Sequence, residues 1–109
     1  MDLTKKKCIP CEGGIPPLTE EKEAEFIKEI KGWDLLKEGV HRIRKEFIFN
    51  EFMEAISFVN SVAEIAEREG HHPNISVYYN RVVLELNTHA IKGLHLNDFI
   101  LAAKIDEIR

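Results

Sequence analysis

Apolar positions along the chain recur with two periods. Behind Glu20 and Glu21, Phe26, Ile27 and Ile30 share a helical stripe, so a helix is predicted over residues 19–31. Thr19 is its N-cap, and the acidic first turn suits the positive end of the helix dipole. Gly32 stops it, after which Trp33-Asp34-Leu35-Leu36 and His41 to Phe49 read as two extended pieces hinged near Gly39. In the second piece Ile43, Phe47 and Phe49 alternate with Arg42, Arg44 and Glu46, the pattern of a strand with one face on a core and one in water. His41, at its start, reads as an ordinary strand-edge polar residue. Asn50 is placed to cap a longer helix, with Phe52, Ala55, Ile56, Val59, Ala63 and Ala66 on one stripe and Glu54, Ser57, Ser61, Glu64 and Arg68 opposite. Gly70 ends that helix with a left-handed turn, and Pro73 forbids more helix and holds His72 extended.

Two β-rich runs follow, Ile75 to Tyr79 and Val82 to Leu86, joined by a tight turn at Asn80-Arg81. Gly93 gives a further turn, and Asn97-Asp98 opens a last helix with Leu101, Ala102, Ile105 and Ile108 on its apolar stripe. The order of helix, two strands, helix, hairpin, helix implies an α+β fold: a four-stranded antiparallel sheet with helices packed on one face. The first eighteen residues carry both cysteines, all but one of the prolines and Gly13-Gly14. They read as a flexible N-terminal arm, 1–18, before one domain, 19–109.

Composition narrows the function classes. A chain of 109 residues suits one domain. A net charge of −4 without a dense basic cluster argues against direct nucleic-acid binding. No apolar run approaches the ~20 residues of a membrane span, and Met1 to Lys7 lacks a following apolar signal segment, so a cytoplasmic protein without a membrane partner is expected. Cys8-Ile9-Pro10-Cys11 has the spacing of a zinc knuckle or a redox pair. Zinc takes about four ligands and a redox motif needs a βαβ context. The pair is therefore read as reduced cysteines on the arm, or as half of a site completed by a neighbouring subunit.

Three of the five histidines carry the candidate chemistry. If the hairpin folds back at Asn80-Arg81, residues after Leu86 return to the level of Pro73, and Thr88-His89 lies beside His71-His72. Imidazole titrates near neutral pH, so such a cluster suits proton transfer or metal binding. His71-His72 alone would read as solvated loop residues; His89 changes that.

Glu67 with Gly70-His71-His72-Pro73, Tyr79-Asn80-Arg81-Val82, Thr88-His89, Gly93-Leu94, Asp98 and Leu101-Ala102-Ala103-Lys104-Ile105 resembles the pterin-4a-carbinolamine dehydratase family over residues 19–108. The resemblance implies dehydration of 4a-hydroxytetrahydropterin to quinonoid dihydropterin in tetrahydropterin recycling, with no cofactor and no metal. It also implies a homodimer or homotetramer, as do the exposed edges of a small sheet. Vertebrate members also serve as dimerisation cofactors of a homeodomain transcription factor. By resemblance His71 and His89 take acid and base work in either order, His72 holds substrate, and Glu67 orients or tunes an imidazole. Gly70, Pro73, Asn87, Thr88, Ala90 and Asp98 support the site, Asp98 as a helix-start carboxylate.

Two residues depart from the family pattern. His95 stands where a threonine or serine usually caps the last helix, and Ile75 stands where many members carry a tryptophan, a smaller wall for the pterin pocket. An uncompensated cap loss costs about 1 kcal/mol. Zinc held by the three histidines, a non-catalytic binding module of the same fold, and a pterin activity tied to molybdenum cofactor metabolism are the competing readings.

Overall fold

The computed structural model describes residues 1–10 and 13–109. Its elements are α1 (Glu20–Ile27), β1 (Asp34–Leu36), β2 (Arg42–Ile48), α2 (Phe52–Glu69), β3 (Asn74–Tyr78), β4 (Arg81–Leu86) and α3 (Leu96–Glu107), with short 3-10 turns at Leu3–Lys5 and His89–Ile91. The strands form one antiparallel sheet in the order β1-β2-β4-β3. The fold is α+β, with the helices covering one face.

Side-chain alternation decides which face. Ile43 and Phe47 of β2 and Val82, Leu84 and Leu86 of β4 are buried beneath Phe58, Val62 and Ile65 of α2 and Phe99, Leu101 and Ile105 of α3. The opposite face carries ion pairs instead, Arg42 with Glu85 at 3.2 Å and Arg81 with Glu46 at 2.9 Å. A single-residue register slip would exchange these faces, so the pairing is strongly specified. No helix among the described residues is long and apolar enough to cross a membrane.

Several element edges differ from the sequence expectation. Thr19 caps α1 through its hydroxyl, but the α-helix closes at Ile27, and 3-10-type bonds from Glu29 and Ile30 tighten the chain toward Gly32. The N-cap of α2 is Glu51 rather than Asn50, and its side chain makes no capping bond. The buried row of α2 is Ala55, Phe58, Val62, Ile65 and Ala66, while Phe52 and Ala63 are exposed and Ile56 and Val59 flank the row. The helix is rotated so that its bulkier aromatic and branched residues meet the sheet, an i, i+3, i+4 row that the sequence also contains.

The hairpin turn is Tyr79-Asn80, with Arg81 already in β4 opposite Tyr78. Tyr79 takes the left-handed conformation (φ 53) and stacks on Phe52 with ring centroids 6.5 Å apart. Asn80 remains useful there, its side-chain amide donating to the Phe49 carbonyl at 2.8 Å. His41 bonds the carboxylate of Glu23 at 2.9 Å, and Glu23 is almost wholly buried. That hydrogen-bond partner explains how α1 tolerates a carboxylate on its inner face.

Described residues of the N-terminal segment make contacts with the domain. Leu3 is buried in the core, the terminal ammonium lies 3.1 Å from Glu29, and the Leu18 N–H donates to the Leu94 carbonyl at 2.9 Å. Cys11, the second member of the candidate knuckle, lies outside the described residues.

Candidate active site

Helix α2 delivers two histidines by the way it ends. Gly70 is left-handed (φ 66) and its N–H donates to the Glu67 carbonyl at 3.3 Å, while the His71 N–H reaches back to Ala66 at 3.2 Å. The helix is thereby sealed, and His71 and His72 leave it just before Pro73 leads into β3.

The third histidine follows β4. The Thr88 N–H donates to the Gly93 carbonyl at 2.8 Å, and the Ile91 N–H returns to Thr88 at 3.2 Å, curling His89–Ile91 into a 3-10 turn. Its left-handed residue is Lys92 (φ 53), not Gly93. Glycine at 93 answers a different need, because a Cβ there would lie 2.5 Å from the Cβ of Pro17.

These two segments converge on one cleft of about 240 Å³, lined by His71, His72 and His89 together with Gly70, Asn87, Thr88 and Ala90. Asp98 sits behind it, fully buried at the start of α3. One carboxylate oxygen lies 2.6 Å from His71 Nε2; the other accepts from the Thr88 hydroxyl at 2.9 Å and the His95 N–H at 3.0 Å. A carboxylate accepts but cannot donate, so Nε2 of His71 is the donating nitrogen in this bond, and Nδ1 is the ring nitrogen left for other partners. His72 Nε2 lies 2.8 Å from Glu67, but both side chains are exposed, so that contact orients weakly. His89 is also exposed. Among the described residues no group of three or more His, Cys, Asp or Glu side chains is placed to hold a metal ion.

Residues 16–108 match the sequence pattern of the family described as Pterin 4 alpha carbinolamine dehydratase. The chain belongs to the pterin carbinolamine dehydratase family. A Methylococcus capsulatus protein bearing the family's name is 46% identical over 97% of this chain and 92% of its own length. One from Nitrosospira multiformis is 49% identical over 98% and 92%. The crystal structure of a transcriptional coactivator/pterin dehydratase from Brucella melitensis superposes with a TM-score of 0.79 at 33% identity, covering 84% of this chain and 97% of that one.

The two departures from the pattern of this dehydratase family have different outcomes. His95 is the N-cap of α3, and its Nδ1 accepts from the Asn97 N–H at 3.0 Å while Asp98 accepts from the His95 N–H. The imidazole thus takes the place of the usual hydroxyl and completes a capping box. Ile75 lies on the edge strand β3, outside the residues that line the cleft.

Two further residues of the cleft, Ile9 and Asn97, are not legible as such in the sequence. Asn97 is almost wholly buried; its amide oxygen accepts from the Ile9 N–H at 3.0 Å and its amide nitrogen donates to the Ile9 carbonyl at 2.6 Å. Next to it, the Cys8 N–H donates to Glu69, which also pairs with Lys104 at 2.8 Å. Burial opposes the charge on Glu69, but Lys104 and the Cys8 amide outweigh it and hold the carboxyl below its usual range. Burial, reinforced by the negative charge of Glu69, pushes the Cys8 thiol up to about 12.

Proposed function

We propose that the cleft dehydrates 4a-hydroxytetrahydropterin by histidine acid–base chemistry. The hydroxyl on the ring carbon leaves with a proton from one imidazole, as water, while a second imidazole takes the proton from the adjacent ring nitrogen, giving the quinonoid dihydropterin. His71 and His89, on opposite segments of the cleft, are the pair assigned to these transfers. His72, with Glu67 behind it, holds the substrate. Asp98 acts through His71 by fixing its tautomer and is a positioning residue. The observation that carries this reading is the convergence of the three histidines on one cleft, with His71 bonded to a buried carboxylate.

The reading extends to tetrahydropterin recycling and to self-association as a dimer or tetramer, supported by the exposed Ile75 and Tyr78 on edge strand β3. Turnover of a chemically generated carbinolamine pterin, with and without chelator, tests the chemistry. His71→Ala and His89→Ala should each lower kcat by about 10²-fold or more, and His72→Ala should act mainly on KM. Full activity in the His71→Ala, His89→Ala double variant, or loss of wild-type activity to chelator with recovery on adding zinc, would end this reading.

A further inference from the structure

The described end of the N-terminal segment meets the histidine cleft through two anchors, and each is joined in sequence to the catalytic constellation. Glu69, which accepts from the Cys8 N–H at 2.9 Å, is followed by Gly70 and His71. Asn97, which holds both backbone groups of Ile9, is followed by Asp98. Asn97 pairs with Ile9 as one strand residue pairs with another, donor to acceptor and acceptor to donor, so it fixes the position and the rotation of that peptide. Glu69 is itself steadied by Lys104, with side chains 7% and 15% exposed. A surface segment needs none of this to be covered by solvent. Yet Ile9, so firmly held at its backbone, is 61% exposed and lines the cleft.

We infer that Ile9 is a substrate-contacting wall of the cleft, with Asn97 and Glu69 as the residues that position it, so that the N-terminal segment sets affinity for the pterin ring. This inference rests on the function proposed above. The chemical division is plain: the histidines and Asn87 offer polar groups to the heteroatoms of a flat bicyclic ring, whereas Ile9 offers the ring an apolar surface. Ligand sites combine an apolar lining with a few placed polar groups in this way. Ile9 carries no titratable group, so it contributes to binding the substrate and the transition state alike, which alters KM and leaves kcat in place.

The test uses the full chain with Ile9→Ala, Ile9→Val and Asn97→Ala, assayed on the carbinolamine and titrated with a 7,8-dihydropterin by calorimetry. Because Ile9 is exposed, Ile9→Ala should fold and melt as the wild type does. Its KM and its dihydropterin Kd should both rise by about tenfold, the scale of a lost aliphatic contact, with kcat within about threefold. Ile9→Val should recover most of the affinity. Amide hydrogen exchange supplies a readout independent of turnover: the Cys8 and Ile9 amides should be protected in the free protein, further protected by dihydropterin, and released in Asn97→Ala. Wild-type affinity in Ile9→Ala, with the wild-type protein turning over normally, would overturn the wall and leave the dehydratase reading standing. A wild-type protein that neither turns over the carbinolamine nor binds dihydropterin would overturn both.

Discussion

Replacing Asp98 by asparagine separates its structural work from its effect on His71. The carboxylate takes three donors, and two of them, the Thr88 hydroxyl and the His95 N–H, share one oxygen. An asparagine oxygen at that position keeps both, so the α3 cap survives. The amide nitrogen then faces His71 Nε2, previously 2.6 Å from a carboxylate oxygen, and can only donate. The imidazole must carry its proton on Nδ1 instead. A hydrogen bond to a charged group contributes about 1.5–3 kcal/mol and a neutral one about 0.5–1.5, so the exchange should cost about 1 kcal/mol of stability, roughly 5 °C in Tm. The catalytic loss should be far larger, about 10²-fold or more in kcat, because the nitrogen needed for proton transfer now has the wrong protonation. Asp98→Ala, by contrast, strands Thr88 and the helix N-terminus inside the protein and should cost about 3–5 kcal/mol. Initial rates on the carbinolamine, beside thermal melts followed by circular dichroism, distinguish the two effects. Wild-type kcat in a stable Asp98→Asn protein would refute the assignment of Asp98 as the group that sets the His71 tautomer.

Other perturbations test the framework around the cleft. The carboxyl of Glu69 is held low when folded, so its contribution to stability is complete above its unfolded value and is lost as pH falls through the folded one. Glu69→Gln should therefore cost about 2 kcal/mol in urea unfolding at neutral pH, and the difference should shrink below about pH 4, the ordinary glutamate range; an equal difference at both pH values would contradict the pairing with Lys104. Gly93→Ala forces a Cβ to 2.5 Å from Pro17 and should destabilise by about 1–3 kcal/mol, with a wild-type melt disproving the close approach. With its thiol near 12, Cys8 should react with iodoacetamide at neutral pH far more slowly than free cysteine in a Cys11→Ser background, and fast alkylation would count against its burial beside Glu69.

α3 is buried on most sides and Ile108, expected on its stripe, is exposed, but periodicity made the sheet and α2 readable, because each buries one face and polar residues mark the other. It gave the neighbours of His71 in sequence, and the hairpin argument brought His89 to them. Rotation of α2 was harder, since Ile56 and Val59 compete with Phe58, Val62 and Ile65, and only the facing sheet selects between the two rows. The turn at Tyr79-Asn80 went unread because asparagine is the usual left-handed residue, whereas here stacking on Phe52 accompanies that conformation at Tyr79. The contacts of the first residues were hidden for a different reason. Proline and glycine signal irregular backbone, but irregular backbone can still be pinned, and the pins, Asn97, Glu69 and Leu94, lie far along the chain. Glu23 and His41 were likewise invisible as a pair, because no local rule joins an α1 carboxylate to the residue preceding β2.

His71 and Asp98 stand 27 residues apart, and all of β3 and β4 lies between them. Their hydrogen bond closes a long loop that contains the whole hairpin, and His89, the third histidine of the cleft, follows the hairpin's second strand. Helices can begin from local contacts, whereas such a closure must first meet the chain entropy it removes. In a refolding experiment ellipticity would time the helices, and the return of turnover would time the arrival of the hairpin. Catalytic competence is thus a reporter of completed topology, and a chain trapped with its helices formed but its hairpin astray would be compact, helical and silent.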